Sequence, residues 1–235
     1  RSNNLGMPEE RNRIMVDAIS DLLLIPSEDA KENLLKEKVS SGKIHNVGNI
    51  MIDTLAKNKS KIINNSENIR NNLNINKSYF VVTLHRPSNL NDDILEDVFE
   101  AISNFTDDFQ VILPAHPRLK NYIENNNIEL SNVILIDPLS YIDFMSLVYG
   151  CDLMLTDSGG IQEETTYLGI NCLTLREETE RPITVQEGTN KVIGTDKENI
   201  INEINNVLGS KISNEAKIKY WDGETSDRIF QILFG

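Results

Sequence analysis

The sequence predicts an α/β protein: a Rossmann-like, doubly wound parallel sheet preceded by a partial domain of the same kind. Three observations point there. From Tyr79 onward, short apolar runs alternate with segments of helical periodicity, a pattern of parallel strands joined by crossover helices. The run Asp152–Leu155 leads into Ser158-Gly159-Gly160, then into helical spacing from Ile161 to Leu168, with Gly169 as a stop. Strand, glycine turn and helix in that order put the turn at the carboxyl end of a strand, where open α/β sheets bind ligands. Residues 1–60, by contrast, yield two strands among three helices, and two parallel strands bury too little surface to be a domain alone.

Taken in order, Arg1–Leu5 carries neither a cap nor a strand pattern. Met7-Pro8-Glu9-Glu10 opens a helix to about Ile19, with Pro8 near the first turn, where its missing N–H costs nothing. Asp21–Ile25 is a short strand, and Ser27 caps a helix to about Lys38. Lys43–Val47 is a second strand, and Gly48-Asn49 turns into a helix from Ile50 to about Lys59. The polar, Asn-rich stretch Lys61–Lys77 reads as helix and loop at a joint between a partial first domain, residues 1–60, and a second domain, residues 61–235. Strand candidates follow at Tyr79–Leu84, Gln110–Pro114, Val133–Ile136, Asp152–Leu155, Asn171–Leu175 and Lys191–Ile193. Between most of them lie helical patterns at Ile94–Asn104, Pro117–Asn125, Tyr141–Tyr149 and Ile161–Leu168; Asp196–Leu208 and Asp227–Leu233 close the chain. Either a partner chain completes the first sheet, or the chain begins inside a domain whose first part is absent.

Composition narrows the function. The chain has 235 residues, 39% of them hydrophobic, and a formal net charge of -13, with a pI near 4.7. That balance, without a basic patch, excludes nucleic acid as the expected partner. It leaves room for an anionic nucleotide, because the charge of a site is local. Cys151 and Cys172 adjoin or lie in apolar strand-like runs and read as buried thiols. Neither a zinc pattern nor a disulfide framework is present, and there is no signal peptide or membrane span, so the cytoplasm is the expected compartment.

The chemistry concentrates at strand ends. The backbone N–H groups of Gly159, Gly160 and Ile161 would open a helix and hold a phosphate. Glu163 and Glu164 read as first-turn carboxylates, which suit ribose hydroxyls better than phosphate. Together they describe a nucleoside diphosphate site; the alternative is a tight turn followed by a solvated acidic helix face. His85-Arg86 follows the strand that starts at Tyr79, and His116 follows the next strand, where an imidazole can donate to a diphosphate or act as acid or base. The alternative for each is a loop residue capping a helix. His45 lies inside a strand and reads as structural. Arg181 can neutralise phosphate bidentately, or belong to a solvated charge run, Arg176–Arg181. Glu9 and Glu10 are ordinary helix-start acids, unless two domains face each other across a cleft and Glu9 reaches a sugar.

Several stretches together resemble one family. They are Pro8-Glu9-Glu10-Arg11-Asn12-Arg13, Gly48-Asn49, His85-Arg86, Ile136-Asp137-Pro138, Thr156-Asp157-Ser158-Gly159-Gly160-Ile161-Gln162-Glu163-Glu164, Thr179-Glu180-Arg181-Pro182 and Gly194-Thr195-Asp196. In this order they are similar to the non-hydrolysing UDP-N-acetylglucosamine 2-epimerases. The resemblance implies the glycosyltransferase-B architecture, two Rossmann-like domains with substrate between them. It also implies interconversion of UDP-N-acetylglucosamine and UDP-N-acetylmannosamine by elimination and re-addition of UDP, with no metal or redox cofactor. By the same resemblance, His85 contacts the diphosphate and aids UDP departure, and Glu9 faces the sugar. Ser158, Gly159 and Gly160 hold phosphate, Glu164 the ribose, and Arg181 a polar part of the nucleotide. Phe144 stacks on the uracil beside a backbone contact from Leu139. Arg86 and His116 match positions that contact a second, regulatory UDP-N-acetylglucosamine in some bacterial members.

Members of that family carry a complete first domain ahead of the segment where this chain begins, with a further arginine, lysine, aspartate and glutamate of the active site. Arg1-Ser2 resembles the end of the motif supplying that glutamate. The resemblance therefore implies an impaired epimerase, UDP-N-acetylglucosamine or UDP as ligand, a homodimer, and no membrane. The alternatives are a UDP-sugar glycosyltransferase of the same architecture, or a non-catalytic UDP-sugar-binding fragment.

Overall fold

The computed structural model describes residues 1, 5–86, 89, 92–126, 128, 130, 133–209 and 217–235. Ser2, and with it part of the motif end at Arg1-Ser2, lies outside the described residues. Eight strands alternate with helices among the described residues. The first two strands, β1 (Leu23–Ile25) and β2 (Ile44–Asn46), pair in parallel with Leu23 opposite Ile44. The others are β3 (Tyr79–Thr83), β4 (Gln110–Pro114), β5 (Val133–Ile136), β6 (Leu153–Thr156), β7 (Cys172–Thr174) and β8 (Asn190–Val192). They form one six-stranded sheet in the order β5-β4-β3-β6-β7-β8, every pairing parallel.

The helices are α1 (Pro8–Ile19), α2 (Glu28–Lys36), α3 (Ile50–Asn72), α4 (Asp92–Ser103), α5 (Pro117–Asn125), α6 (Tyr141–Tyr149), α7 (Gly159–Leu168), α8 (Pro182–Gln186), α9 (Lys197–Leu208) and α10 (Thr225–Phe234). They cover both faces of the large sheet. In β3, successive side chains point to opposite faces. Phe80 and Val82 enter a core with α4, α5 and α9, whereas Tyr79 and Val81 enter a second core with α3, α6 and α7. Both faces are therefore apolar, which explains why these strands read as continuous hydrophobic runs. The small β1–β2 unit has its own cluster of Leu23, Ile25, Leu34 and Ile44.

The strand order creates the position for a site. From β3 the chain steps outward through β4 to β5, then returns to the other side of β3 as β6. Crossovers leave in opposite directions at this point and open a crevice at the carboxyl ends of β3 and β6. Thr83 and Thr156 are register partners there, and their hydroxyls lie 2.7 Å apart.

Two helices and one thiol here differ from the sequence expectation. Helix α3 does not stop near Lys59 but runs on to Asn72. Its buried Ile52, Leu55, Ile62 and Ile69 form one stripe. Burying each isoleucine is worth about 1.5–3 kcal/mol, which outweighs the few tenths that each asparagine costs a helix. Helix α8, with Pro182 at its start, falls in a stretch that the sequence reading assigned to no element, although Arg181-Pro182 carries the proline-first signal. Of the thiols, Cys172 is buried, as expected, while Cys151 is only half-buried; both are free. No described helix is long and apolar enough to cross a membrane.

The end of the chain returns to its beginning. Trp221 Nε1 donates to the Pro26 carbonyl at 3.0 Å, and Arg228 Nη1 to that of Val47 at 3.2 Å. Gly48 adopts φ 90°, and a Cβ there would lie 2.0 Å from the Tyr220 carbonyl oxygen, so no other residue fits. Asp53 on α3 accepts the backbone N–H of Thr225 at 3.0 Å and of Ser226 at 2.7 Å. Burial would raise the Asp53 pKa, but these donors lower it overall. Asp53→Ala is expected to cost about 1–3 kcal/mol, the penalty for stranding buried donors, as measured by urea denaturation.

Candidate functional site

At the crevice, a cleft of 760 Å³ is lined by Glu9, Arg13, His85, Arg86, Arg176 and Glu180, among others. Glu9, from the start of α1, thus faces the same space as His85, from the end of β3, although they are far apart in sequence. Across the crevice, β6 ends at Thr156, and the next residue, Asp157, is fully buried. Its carboxylate accepts the backbone N–H of His85 at 3.0 Å and of Arg86 at 2.9 Å, and lies 2.6 Å from His85 Nδ1. Arg86 Nε donates to the Asp157 carbonyl at 3.1 Å. One residue of the β6–α7 turn therefore ties down the loop that presents His85 and Arg86.

The glycine segment is more helical than expected. Helix α7 begins at Gly159, two residues earlier than its apolar spacing suggests, with Ser158 in the N-cap position making no side-chain cap bond. Neither Gly159 nor Gly160 has positive φ; the left-handed glycine here is Gly169, which ends the helix. A Cβ on Gly159 meets no protein atom within 4 Å, and one on Gly160 meets only Ser158 Oγ at 4.0 Å. Backbone conformation does not require these glycines, and neither does packing within the chain. What they leave is room where their side chains would stand, beside the first turn of α7, and a helix N-terminus is where an anion is favoured.

Glu163 and Glu164 are correspondingly not first-turn residues, and they are not a solvated face. Both are buried. Glu163 pairs with Arg181, its Oε1 2.7 Å from Arg181 Nε. Glu164 Oε1 accepts a hydrogen bond from the Tyr141 hydroxyl at 2.9 Å. Burial raises the pKa of each carboxyl; Arg181 and Asn49 oppose the shift at Glu163, and Tyr141 opposes it at Glu164. Leu139 and Phe144, at the entrance to α6 and on it, pack partly buried against the same core as Ile161 and Tyr167 of α7, a core that includes Leu168. Phe144 on α6 and Gly159, Gly160 and Glu164 on α7 thus lie along two helices in contact. Arg181 is held by Glu163 and by the Glu180 carbonyl, 3.2 Å from its Nη1. His116 stands exposed at the end of β4, its carbonyl accepting the N–H groups of Leu119 and Lys120 as α5 begins.

The residues between Arg176 and Arg181 correct the solvated alternative. Arg176 and Glu180 are buried and make a two-pronged pair at 2.8 and 3.1 Å, and Arg86 Nη2 lies 3.6 Å from the same carboxylate. Burial alone would raise the Glu180 pKa, but Arg176 and Arg86 bring it down to about 2. Sequence inspection missed Asp157, Arg176, Glu180 and Tyr141 as site residues. Arg176 and Glu180 lie in a loop, where their spacing announces no contact; Asp157 was marked only by its place between strand and glycines.

Comparison with known proteins gives the family. The family described as UDP-N-acetylglucosamine 2-epimerase matches residues 1–234. The UDP-N-acetylglucosamine 2-epimerase of Methanocaldococcus jannaschii is 38% identical over 99% of this chain and 66% of its own length. The crystal structure of the M. jannaschii enzyme in complex with UDP-GlcNAc and UDP superposes with a TM-score of 0.85 at 37% identity, over 99% of this chain and 67% of that one. The Neisseria meningitidis enzyme bound to UDP-GlcNAc gives 0.86 at 31% identity, with the same coverage. The chain spans about two thirds of the length of these relatives. With the family match running almost end to end, the chain belongs to the UDP-N-acetylglucosamine 2-epimerase family.

Proposed function

We propose that the chain binds the UDP moiety of UDP-N-acetylglucosamine at the β3/β6 crevice and serves the 2-epimerisation of that sugar nucleotide. The observation that carries this is the room beside Gly159 and Gly160, which follow Asp157, whose carboxylate holds the backbone N–H groups of His85 and Arg86. The diphosphate would sit on the N–H groups of Gly159, Gly160 and Ile161 and on the Ser158 hydroxyl. The ribose would meet Glu164, the uracil Phe144 beside Leu139, and Arg181 would add a cation through the face that Glu163 leaves open. His85 would contact the departing diphosphate, and Glu9 the sugar. Arg86 and His116 would belong to a regulatory subsite. The epimerase relatives do not favour a glycosyltransferase role.

Residues 1–60 would form part of a first domain and residues 61–235 the UDP-binding domain, with α3 spanning the joint. A homodimer working in the cytoplasm fits this reading. Exposed apolar side chains on α1, Met15, Val16 and Ile19, favour association of residues 1–235 in solution.

Incubation with UDP-N-acetylglucosamine in deuterated water tests the reaction. Deuterium at C2, however slowly it enters, supports epimerisation; transfer of the sugar to an acceptor counts against it. Inversion at C2 needs a base on one face of the sugar and an acid on the other. Glu9 supplies one such group, and His85 is committed to the diphosphate. We therefore expect residues 1–235 alone to exchange far more slowly than about 1 s⁻¹, the low end of ordinary turnover; a rate near that value would show that the residues present suffice.

Glu164 gives a prediction with opposite signs. Its folded-state pKa is raised, so its contribution to stability is present at low pH and lost as pH rises through that value. Glu164→Gln is expected to raise the melting temperature of the free protein at pH 7. Glu164→Ala is expected to weaken UDP binding by about 1–3 kcal/mol, the cost of losing a hydrogen bond to a charged partner. Scanning calorimetry and titration calorimetry check the two effects.

A further inference from the structure

Asp157 is fully buried between the two strand ends that frame the cleft, and both of its carboxylate oxygens are engaged. Oδ2 accepts the backbone N–H of His85 at 3.0 Å and of Arg86 at 2.9 Å, and Asn89 Nδ2 at 3.4 Å. Oδ1 lies 2.6 Å from His85 Nδ1. Burial would raise the pKa of this carboxyl, but the His85 imidazole and the two backbone donors lower it overall. An ionised carboxylate only accepts hydrogen bonds, so the ring nitrogen facing it keeps its proton in both the neutral and the charged imidazole. The ring gains or loses its other proton at Nε2, on the side away from Asp157. The His85 side chain is 55% exposed and lines the cleft.

We propose that Asp157 is the positioning residue of this site: it fixes His85 as the Nδ1–H tautomer, with Nε2 as the atom that exchanges a proton with the ligand. The same carboxylate locks the β3–α4 loop to the β6–α7 turn. What Nε2 meets rests on the nucleotide reading above; the tautomer does not.

Charge and position predict opposite outcomes for Asp157→Asn. Removing a negative charge near a diphosphate would by itself tighten UDP binding. Losing the acceptor that orients His85 would weaken it, because the carboxamide offers one oxygen where two now serve four N–H groups. Nitrogen-15 NMR of the imidazoles provides the direct test, since the chain has only 3 histidines and His85→Ala identifies the signal. At a pH where the ring is neutral, the wild-type protein should show Nδ1 protonated and Nε2 bare. Asp157→Asn should move that proton to Nε2 and weaken UDP binding about tenfold, some 1.4 kcal/mol. Most of that loss should vanish in the His85→Ala background, as a double-mutant cycle measures. A wild-type ring protonated at Nε2 would overturn the proposal even if the variant fails to fold. So would UDP binding by Asp157→Asn that equals or exceeds wild type, or a penalty that is the same with and without His85. If the wild-type protein shows the expected tautomer but does not bind UDP, the nucleotide reading fails and the positioning role stands.

Discussion

Arg176→Met is expected to destabilise the protein by about 3–5 kcal/mol, the usual cost of removing one partner from a buried ion pair. Glu180 is buried, and its two oxygens take the guanidinium of Arg176 at 2.8 and 3.1 Å. Without Arg176, the nearest remaining cation is Arg86, at 3.6 Å, and methionine fills the volume without supplying a donor. The same pair sets an acid limb in stability. Glu180 titrates from 4.5 in the unfolded chain down to about 2 in the fold. A lowered folded pKa gives stability that is complete above the unfolded value and drains as pH falls through the folded one. Arg176→Met should therefore flatten the loss of stability between pH 4.5 and about 2, while leaving the parts due to Asp53 and Asp157, whose pKa values are also lowered. Urea denaturation across that range reads both effects.

Gly159→Val is expected to separate folding from binding. Its Cβ meets no protein atom within 4 Å, and the residue is already helical, where valine is no worse than glycine. Stability should stay level or rise slightly. UDP affinity should fall on the order of 100-fold, about 2.7 kcal/mol, because the branched side chain would stand where the diphosphate meets the helix. Losing even two charge-assisted hydrogen bonds at ~1.5–3 kcal/mol each covers that figure. Unchanged UDP affinity on titration calorimetry would place the diphosphate elsewhere.

The large sheet was legible in the sequence because its strands are buried on both faces, so each appears as an apolar run between helical patterns. Tyr79, Gln110 and Val133 start the observed strands where those runs begin. The continuous α3 was hidden because asparagines mask a stripe of only a few isoleucines, and that stripe matters only once α6 and the sheet are there to cover it. At the site, the strand ends and glycines were readable because they follow from local sequence order. Asp157 was not: its value comes from accepting N–H groups that belong to residues more than seventy positions earlier, a relation fixed by the pairing of β3 with β6. Arg176 and Glu180 looked like surface charge for a similar reason, since nothing local announces that the loop carrying them folds inward.

A crystal structure of residues 1–235 with UDP tests the central claim most directly. The prediction is a diphosphate at the start of α7, against the N–H groups of Gly159, Gly160 and Ile161, with the ribose at Glu164, the uracil beside Phe144 and His85 Nε2 toward the phosphates. UDP bound away from the β3/β6 crevice, or oriented with its uracil toward His85, would contradict it.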